Sequence, residues 1–367
     1  MARILYVAYP LLQVHDESAG GAEQILWTLE REMARGGALT TVAASAGSRV
    51  SGELFSTGNP CIEPNDYERR RAEHEDCVVE FVRRRARQGK AFDLVHDHSG
   101  SSWKRAAEID VAVLATMHLP RSFYPAGSFD DVPANVSFNC VSDSQARSFA
   151  DLDALAGVVT NGIALDCFAD DVGADTISGI RRHQGLLWLG RICEEKAPHL
   201  ALEIAERAGL PITVAGQIYP FSYHQKYFDR EVAPRLQNIP NARFISAPSA
   251  ELKRRLLRES QALLITSLAE ETSSLVAMEA AASGTPAIAF RKGALADVVR
   301  DGVTGFLVED IAQAVLAMQK ISTIDKKICV RHAQKNFSAA QMAERYSSLY
   351  ERLAHPEKLL RFVQETA

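Results

Sequence analysis

Glu270-Glu271-Thr272-Ser273-Ser274-Leu275-Val276-Ala277-Met278-Glu279-Ala280-Ala281-Ala282-Ser283-Gly284-Thr285-Pro286 is the stretch from which the fold is read. An apolar run of strand length, Leu263 to Thr266, stops just before it, and another, Ala287 to Phe290, follows it. Between them a hydroxyl-rich loop leads into a helix that begins near Leu275. Strand, loop, helix and strand in that order make the βα unit of a parallel sheet. At the helix start, backbone N–H groups without intrahelical partners and the positive end of the dipole converge on Ser273, Ser274 and Leu275, with Val276 in the same first turn. That is an anion site suited to phosphate. Glu271 lies in the loop and Glu279 two turns inside the helix, so the two carboxylates can reach different ends of a ligand bound there. Taken alone, the stretch reads equally well as a solvated helix start with two surface glutamates.

A second stretch has matching chemistry. Leu189-Gly190-Arg191-Ile192-Cys193-Glu194-Glu195-Lys196-Ala197-Pro198 is a strand end, a glycine turn and two cations ahead of a helix. Cations just past a strand's carboxyl end sit where open α/β sheets bind ligands. They are suited to a leaving diphosphate, the arginine as a fork and the lysine as a point charge. The bland alternative pairs them with Glu194 and Glu195 on the surface.

Outward from these stretches the same alternation runs through the chain. Strands are expected at Ile4 to Tyr9, Leu39 to Ala44, Leu94 to Asp97, Val111 to Thr116 and Val136 to Val141, then at Leu186 to Leu189, Ile212 to Ala215 and Arg243 to Ile245. Helices are expected over Ile25 to Met33, Glu73 to Arg87, from Ser142, over Pro198 to Ala208 and over Ala339 to Leu353. Met342, Tyr346, Leu349 and Leu353 line one face of the last. Asp166 to Ser178 lacks periodicity and is read as an interdomain linker. The expectation is an α/β chain of two Rossmann-like domains, 1–165 and 166–344, with a C-terminal helix of about 345–367 packing back on the first.

At 367 residues the chain has length for two cores, and 47% hydrophobic with 24% charged residues is a globular balance. A net charge of -5 offers no global attraction to nucleic acid. The six cysteines are scattered without a C-x-x-C pair, which reads as reduced thiols in a cytoplasmic protein. Met1-Ala2-Arg3 runs straight into a buried strand, so no signal peptide is expected, and no apolar run approaches the ~20 residues of a membrane span.

Together the two loops resemble the family 4 retaining glycosyltransferases of the GT-B fold. Gly190, Arg191 and Lys196 match the family's G-R-x-x-x-x-K loop. Glu271 and Glu279 match its E-x-x-x-x-x-x-x-E motif, followed by Gly284 and Pro286. Gly20-Gly21-Ala22-Glu23 is similar to its G-G-x-E loop. Asp93 to His98, Thr116-Met117-His118, Ser142, Asn161-Gly162-Ile163, Val214-Ala215-Gly216 and Asp301 to Gly305 resemble further signatures, in order, across nearly the whole chain. The resemblance implies two parallel sheets facing a central cleft and a metal-independent, hexosyltransferase-type enzyme without a cofactor. Its co-substrate would be a UDP- or GDP-sugar, and its acceptor a small molecule, a lipid-linked molecule or a saccharide. It implies Arg191 and Lys196 on the diphosphate, Glu271 near the donor sugar, Glu279 on the ribose and His118 beside the transferred sugar. Gly20 and Gly21 would lie at the donor phosphates and acceptor side. Gly190, Gly216, Ser273, Ser274, Leu275 and Val276 would complete the donor site.

Thr272-Ser273-Ser274 departs from the family's usual G-F-G, which puts donor identity in question. A nucleotide-sugar epimerase of the same fold and a non-catalytic nucleotide-sugar-binding protein remain alternatives. No G-x-G-x-x-G follows the first strand, which argues against a dinucleotide oxidoreductase. His96, Asp97, His98 and His118 form a weak candidate for a hydrolase metal site. The basic runs Arg69-Arg70-Arg71 and Arg83-Arg84-Arg85 read as solvated helix, or as weak peripheral membrane contact.

Overall fold

The computed structural model describes residues 1–61, 63–169 and 185–354. Most of the expected linker, 170–178, and the stretch 355–367 of the returning helix lie outside the described residues. The chain divides into two compact units, Met1–Gly162 with Ala339–Ala367, and Ile163–Ser338. These divisions replace the expected ones at 165 and 344. Ile163 N–H donates to the Phe337 carbonyl at 2.8 Å, which ties the start of the second unit to its end. The helix expected over Ala339 to Leu353 is present, and it groups with the first unit from Ala339 on, not only from about 345.

The first unit holds a parallel sheet of strands β1 (Arg3–Val7), β2 (Leu39–Ala44), β3 (Glu53–Ser56), β4 (Leu94–Asp97), β5 (Val113–Met117), β6 (Val136–Cys140) and β7 (Leu155–Val158). Their order is β3-β2-β1-β4-β5-β6-β7. Helices α1 (Gly21–Arg35), α2 (Tyr67–Arg87) and α3 (Asp143–Ser148) follow β1, β3 and β6. Ile4, Leu5, Tyr6 and Val7 are all buried, the near-continuous apolar run of a strand covered on both faces.

The second unit opens with α4 (Asp166–Ala169). Its parallel sheet contains β8 (Leu186–Leu189), β9 (Ile212–Gly216), β10 (Ala242–Ser246), β11 (Ala262–Ile265), β12 (Ala287–Phe290) and β13 (Gly305–Val308), in the order β10-β9-β8-β11-β12-β13. Its helices are α5 (Pro198–Ala208), α6 (Ser222–Tyr227), α7 (Ala233–Asn238), α8 (Ala250–Glu259), α9 (Leu275–Ala282), α10 (Leu295–Val298), α11 (Ile311–Lys320) and α12 (Lys326–Asn336). Leu187 and Leu263 pack on one face of the sheet, while Leu186, Trp188 and Leu264 pack on the other. The chain then re-enters the first unit as α13 (Ala339–Ala354), which packs against α1.

In each sheet the winding reverses at the centre, between β1 and β4 and between β8 and β11. Such switch points open a crevice at the carboxyl ends of the strands, where ligands bind. Both candidate loops of the second unit leave that point, Arg191 after β8 and Glu271 after β11.

Several elements are not expected from the sequence. The edge strand β3 is only partly covered and carries Glu53, and β7 contains Gly157 at φ +141°. Helix α2 begins at Tyr67, not Glu73, because Arg70 turns inward and donates to the Asn59 carbonyl at 3.1 Å. Helices α6 and α7 are joined by a π-turn, Phe228–Val232. Pro234, which lacks an N–H, sits in the first turn of α7, where its missing donor costs little.

Candidate functional site

The second unit's site starts from chain geometry at the end of β8. Gly190 N–H donates to the Ala215 carbonyl at 3.1 Å, holding the turn against β9. Gly216 must lack a side chain, since a Cβ there would stand 1.7 Å from the Gly190 carbonyl oxygen. The turn projects Arg191, whose guanidinium lies over the Tyr219 ring at 5.4 Å and donates to Glu195 at 2.7 Å. Lys196 follows, and the next residue, Ala197, is buried in the left-handed region at φ 48°. Thr266 clamps that backbone by donating to the Ala197 carbonyl at 2.8 Å.

Lys196 Nζ donates to Glu271 Oε1 at 2.6 Å, and the Ser267 hydroxyl donates to the same oxygen. The Glu271 carbonyl accepts from Ala294 N–H at 2.7 Å, which fixes the loop against the turn after β12. The expected cations are therefore both engaged by carboxylates, Arg191 by Glu195 and Lys196 by Glu271. The former is the surface pairing weighed from the sequence; the latter joins two residues 75 apart in the chain.

Helix α9 begins at Leu275 with Ser274 as its N-cap, and no side chain caps it. Its first N–H groups thus point into the loop without a capping partner, as anion binding requires. The Ser273 hydroxyl is buried without a hydrogen-bond partner. Among the described non-glycine residues only Ala197, Asn241 and Ala247 have positive φ, so Thr272-Ser273-Ser274 fits the loop without the freedom of glycine. In α9 the Cα–Cβ bonds tilt toward the N-terminus, which leans Glu279 toward that same end. Burial pushes the Glu279 carboxyl up from the usual range, with Lys253 and Arg254 pulling the other way. Among the described residues no Lys or Arg forms an ion pair with it.

In the first unit, Gly20 caps α1 and Gly21 opens it. A Cβ at Gly20 would lie 1.9 Å from Glu23 Oε2, so the Glu23 carboxyl folds back over the helix start. Burial pushes that carboxyl up to about 7, against its own backbone N–H.

His118 follows β5, and Gln145 brackets it by donating to the carbonyls of Met117 at 2.7 Å and Leu119 at 3.1 Å. Ser142, the N-cap of α3, accepts from Gln145 N–H at 3.1 Å, so the cap chemistry legible in the sequence also anchors His118. Behind His118 runs a buried chain. His118 Nε2 meets His98 Nδ1 at 2.9 Å, His98 Nε2 meets His96 Nδ1 at 3.2 Å, and His96 Nε2 meets Thr116 Oγ1 at 2.6 Å. The Tyr350 hydroxyl also reaches His96 Nδ1, at 2.7 Å. Thr116 donates to Asn139 Oδ1 at 2.7 Å, and Asn139 donates to the Tyr346 hydroxyl at 3.1 Å.

With Asn139 so oriented, one assignment of protons satisfies the chain. The Thr116 proton is committed to Asn139, so His96 donates from Nε2 and accepts at Nδ1. His98 then donates from Nε2 to His96 and accepts at Nδ1 from His118 Nε2–H. Burial pushes His118 down to about 4, and His96 and His98 well below their ordinary value, so all three rings are neutral near pH 7. His96 and His98 are thus spent on hydrogen bonds, and Asp97 accepts from Ser99 and Trp103 N–H at 2.7 and 2.9 Å. These contacts replace the weakly expected hydrolase metal site.

Tyr346, Tyr350, Gln145, Glu195 and Tyr219 were not legible as site residues. Tyr346 read only as part of an apolar stripe, and Gln145 only as cap chemistry. The basic runs are paired rather than free: Arg69 with Asp66 and Glu73, Arg71 with Glu68, Arg83 with Glu108 and Arg85 with Glu53. The described cysteines are all free thiols, and no described helix is long and apolar enough to cross a membrane.

Comparison with known proteins bears on the second unit and on the fold. Residues 182–337, nearly all of the second unit, match the family model "Glycosyl transferases group 1". A D-inositol 3-phosphate glycosyltransferase from Geodermatophilus obscurus is 33% identical over 178 residues, 44% of this chain and 39% of that protein. The chain spans about half the length of the curated relatives it matches. Among solved structures, sucrose-phosphate synthase from Thermosynechococcus elongatus superposes with a TM-score of 0.73 at 19% identity, covering 96% of this chain and 99% of that one. An Anabaena protein in complex with UDP-glucose superposes with a TM-score of 0.72 at 15% identity, covering 95% and 99%. Residues 182–337 are thus similar to the group 1 glycosyltransferases, and the two-sheet architecture is the GT-B fold of the solved glycosyltransferases on which the chain superposes.

Proposed function

We propose that the chain is a retaining glycosyltransferase that moves a sugar from a nucleoside-diphosphate sugar, with uridine or guanosine as base, to an acceptor hydroxyl. The observation that carries this reading is the Lys196–Glu271 contact of 2.6 Å at the β8/β11 switch point, beside the uncapped start of α9. Breaking the sugar–phosphate bond builds negative charge on the diphosphate and positive charge on the sugar ring. Arg191, Lys196 and the α9 N–H groups are placed to meet the first charge, with no metal ion needed on the phosphates. When the diphosphate takes Lys196, the Glu271 carboxylate is released to face the second. The desolvated Glu279 carboxyl is an acceptor for ribose hydroxyls, and neutral His118 is a hydrogen-bonding group for the transferred sugar. The Anabaena structural neighbour that holds UDP-glucose supports this donor class. As in the family the sequence resembles, transfer is expected on the front face of the sugar.

The test is turnover of UDP- and GDP-sugars followed by nucleotide release and by the anomer of the product. Release of nucleoside diphosphate with retained configuration is expected; an inverted product contradicts the reading. Glu279→Ala should raise KM for donor more than it lowers kcat, since a ribose contact is equally strong in ground and transition states.

A further inference from the structure

Cys193, Glu195 and His224, all in the second unit, each offer a donor atom, and these atoms lie within 4.8 Å of one another. Cys193 is fully buried and His224 is 1% exposed. Neither ring nitrogen of His224 has a hydrogen-bond partner. A buried polar atom left unpaired costs free energy, so an imidazole orphaned at both nitrogens is an arrangement that a ligand would relieve. The rings of Phe221 and Tyr223, at 5.4 and 4.4 Å, pack edge-on against His224 and supply no lone pair or proton.

The donor set selects the ligand. One sulfur, one nitrogen and one carboxylate oxygen suit a tetrahedral zinc-class ion with a fourth position left to water, and suit neither magnesium nor calcium. Charge agrees: a thiolate and a carboxylate neutralise a divalent ion, so Arg191, which is 2.7 Å from Glu195, meets no net repulsion. We propose that Cys193, Glu195 and His224 bind a zinc-class divalent cation, and that the ion draws a Glu195 oxygen away from Arg191. Cys193 ligates as the thiolate, its proton passing to solvent. The ion sits in the loop between β8 and α5 and not on the diphosphate. Its consequence rests on the function proposed above: Arg191, freed from Glu195, becomes available to the donor phosphates.

The test uses the full chain, stripped of metal and titrated with Co²⁺, then with Zn²⁺ as competitor. A sulfur-to-cobalt charge-transfer band that saturates at a single equivalent and is abolished by Zn²⁺ is expected. Cys193→Ser should lose the band and Cys140→Ser, a buried thiol of the first unit, should keep it. His224→Gln should weaken Co²⁺ binding at least tenfold, and Zn²⁺ should raise the melting temperature of the wild type but not of this variant. His224→Gln keeps the proposal testable should Cys193→Ser fail to fold. Absence of the band in the wild type, its persistence in Cys193→Ser, or unchanged affinity in His224→Gln would overturn the site. UDP affinity, measured with and without Zn²⁺, reads the consequence separately: a several-fold gain is expected, and no gain overturns the release of Arg191. Failure of sugar transfer in an independent assay would leave the cobalt result standing.

Discussion

The two sheets of this molecule meet the same problem, polar groups at the buried carboxyl ends of parallel strands, in opposite ways. At β4 and β5 every ring from His96 to His118 is absorbed in a hydrogen-bonded chain closed from behind by Tyr346 and Tyr350 of α13. At β8 and β11 the cations are held by carboxylates while the Ser273 hydroxyl and both His224 nitrogens lack partners. A network complete in itself fixes one geometry, whereas a network with unmet atoms and neutralised charges is prepared for a ligand. The first positions a neutral imidazole; the second, on the readings proposed above, takes a diphosphate beside Ser273 and a divalent cation at His224.

The largest effect expected from that contrast is on catalysis. Lys196→Ala should lower transfer about 100-fold or more, since one group that stabilises developing charge contributes roughly 3 kcal/mol. Full activity in this variant, measured as kcat/KM, would remove the second unit's loop from the chemistry.

Acid should then break the first network. His118 titrates at about 4 in the folded chain against roughly 6.5 when unfolded, so it adds stability above pH 6.5 that is lost as pH falls toward 4. The difference amounts to up to about 3 kcal/mol for this ring, and His74, also pushed down to about 4, adds to it. Urea unfolding at pH 7 and pH 4.5 should show the loss, and His118→Asn should show less of it. An equal pH dependence in the variant would contradict the assignment.

Next in size is Tyr350→Phe. It keeps the ring but removes the hydroxyl that lies between His96 Nδ1 and the Tyr6 hydroxyl, and should cost about 1–2 kcal/mol in urea unfolding. A neutral result would mean that the tyrosine packs without fixing the imidazole. Smallest is Ser273→Ala, which should change stability by less than about 0.5 kcal/mol because the hydroxyl has no protein partner to lose. The same change should weaken UDP binding several-fold in calorimetry. Loss of stability without loss of affinity would reverse the contrast.

The sequence showed the second network better than the first. Gly190, Arg191, Lys196, Glu271 and Glu279 lie in two short stretches, each a strand end followed by a helix start; local physics offers an anion site there beside a solvated surface, and the resemblance of the motifs favoured the former. The structure brings Lys196 and Glu271 together as two adjacent loops of one switch point require. The histidine chain was not legible. Its closing hydroxyls come from α13, where Tyr346 and Thr116 are 230 residues apart and Tyr350 and His96 are 254 apart. A buried tyrosine at helical spacing also reads as apolar core. Strands such as β7, short and interrupted by Gly157, carry too little periodicity to be seen. The carboxylates that hold Arg191 and Lys196 depend on side-chain directions, which spacing along a loop does not fix.

A crystal structure with bound UDP or GDP measures the central claim directly. The diphosphate is expected within hydrogen-bond distance of the Leu275 and Val276 N–H groups, with Lys196 turned from Glu271 onto a phosphate oxygen. Phosphates bound elsewhere, with Lys196 still on Glu271 and the start of α9 bare, would contradict it.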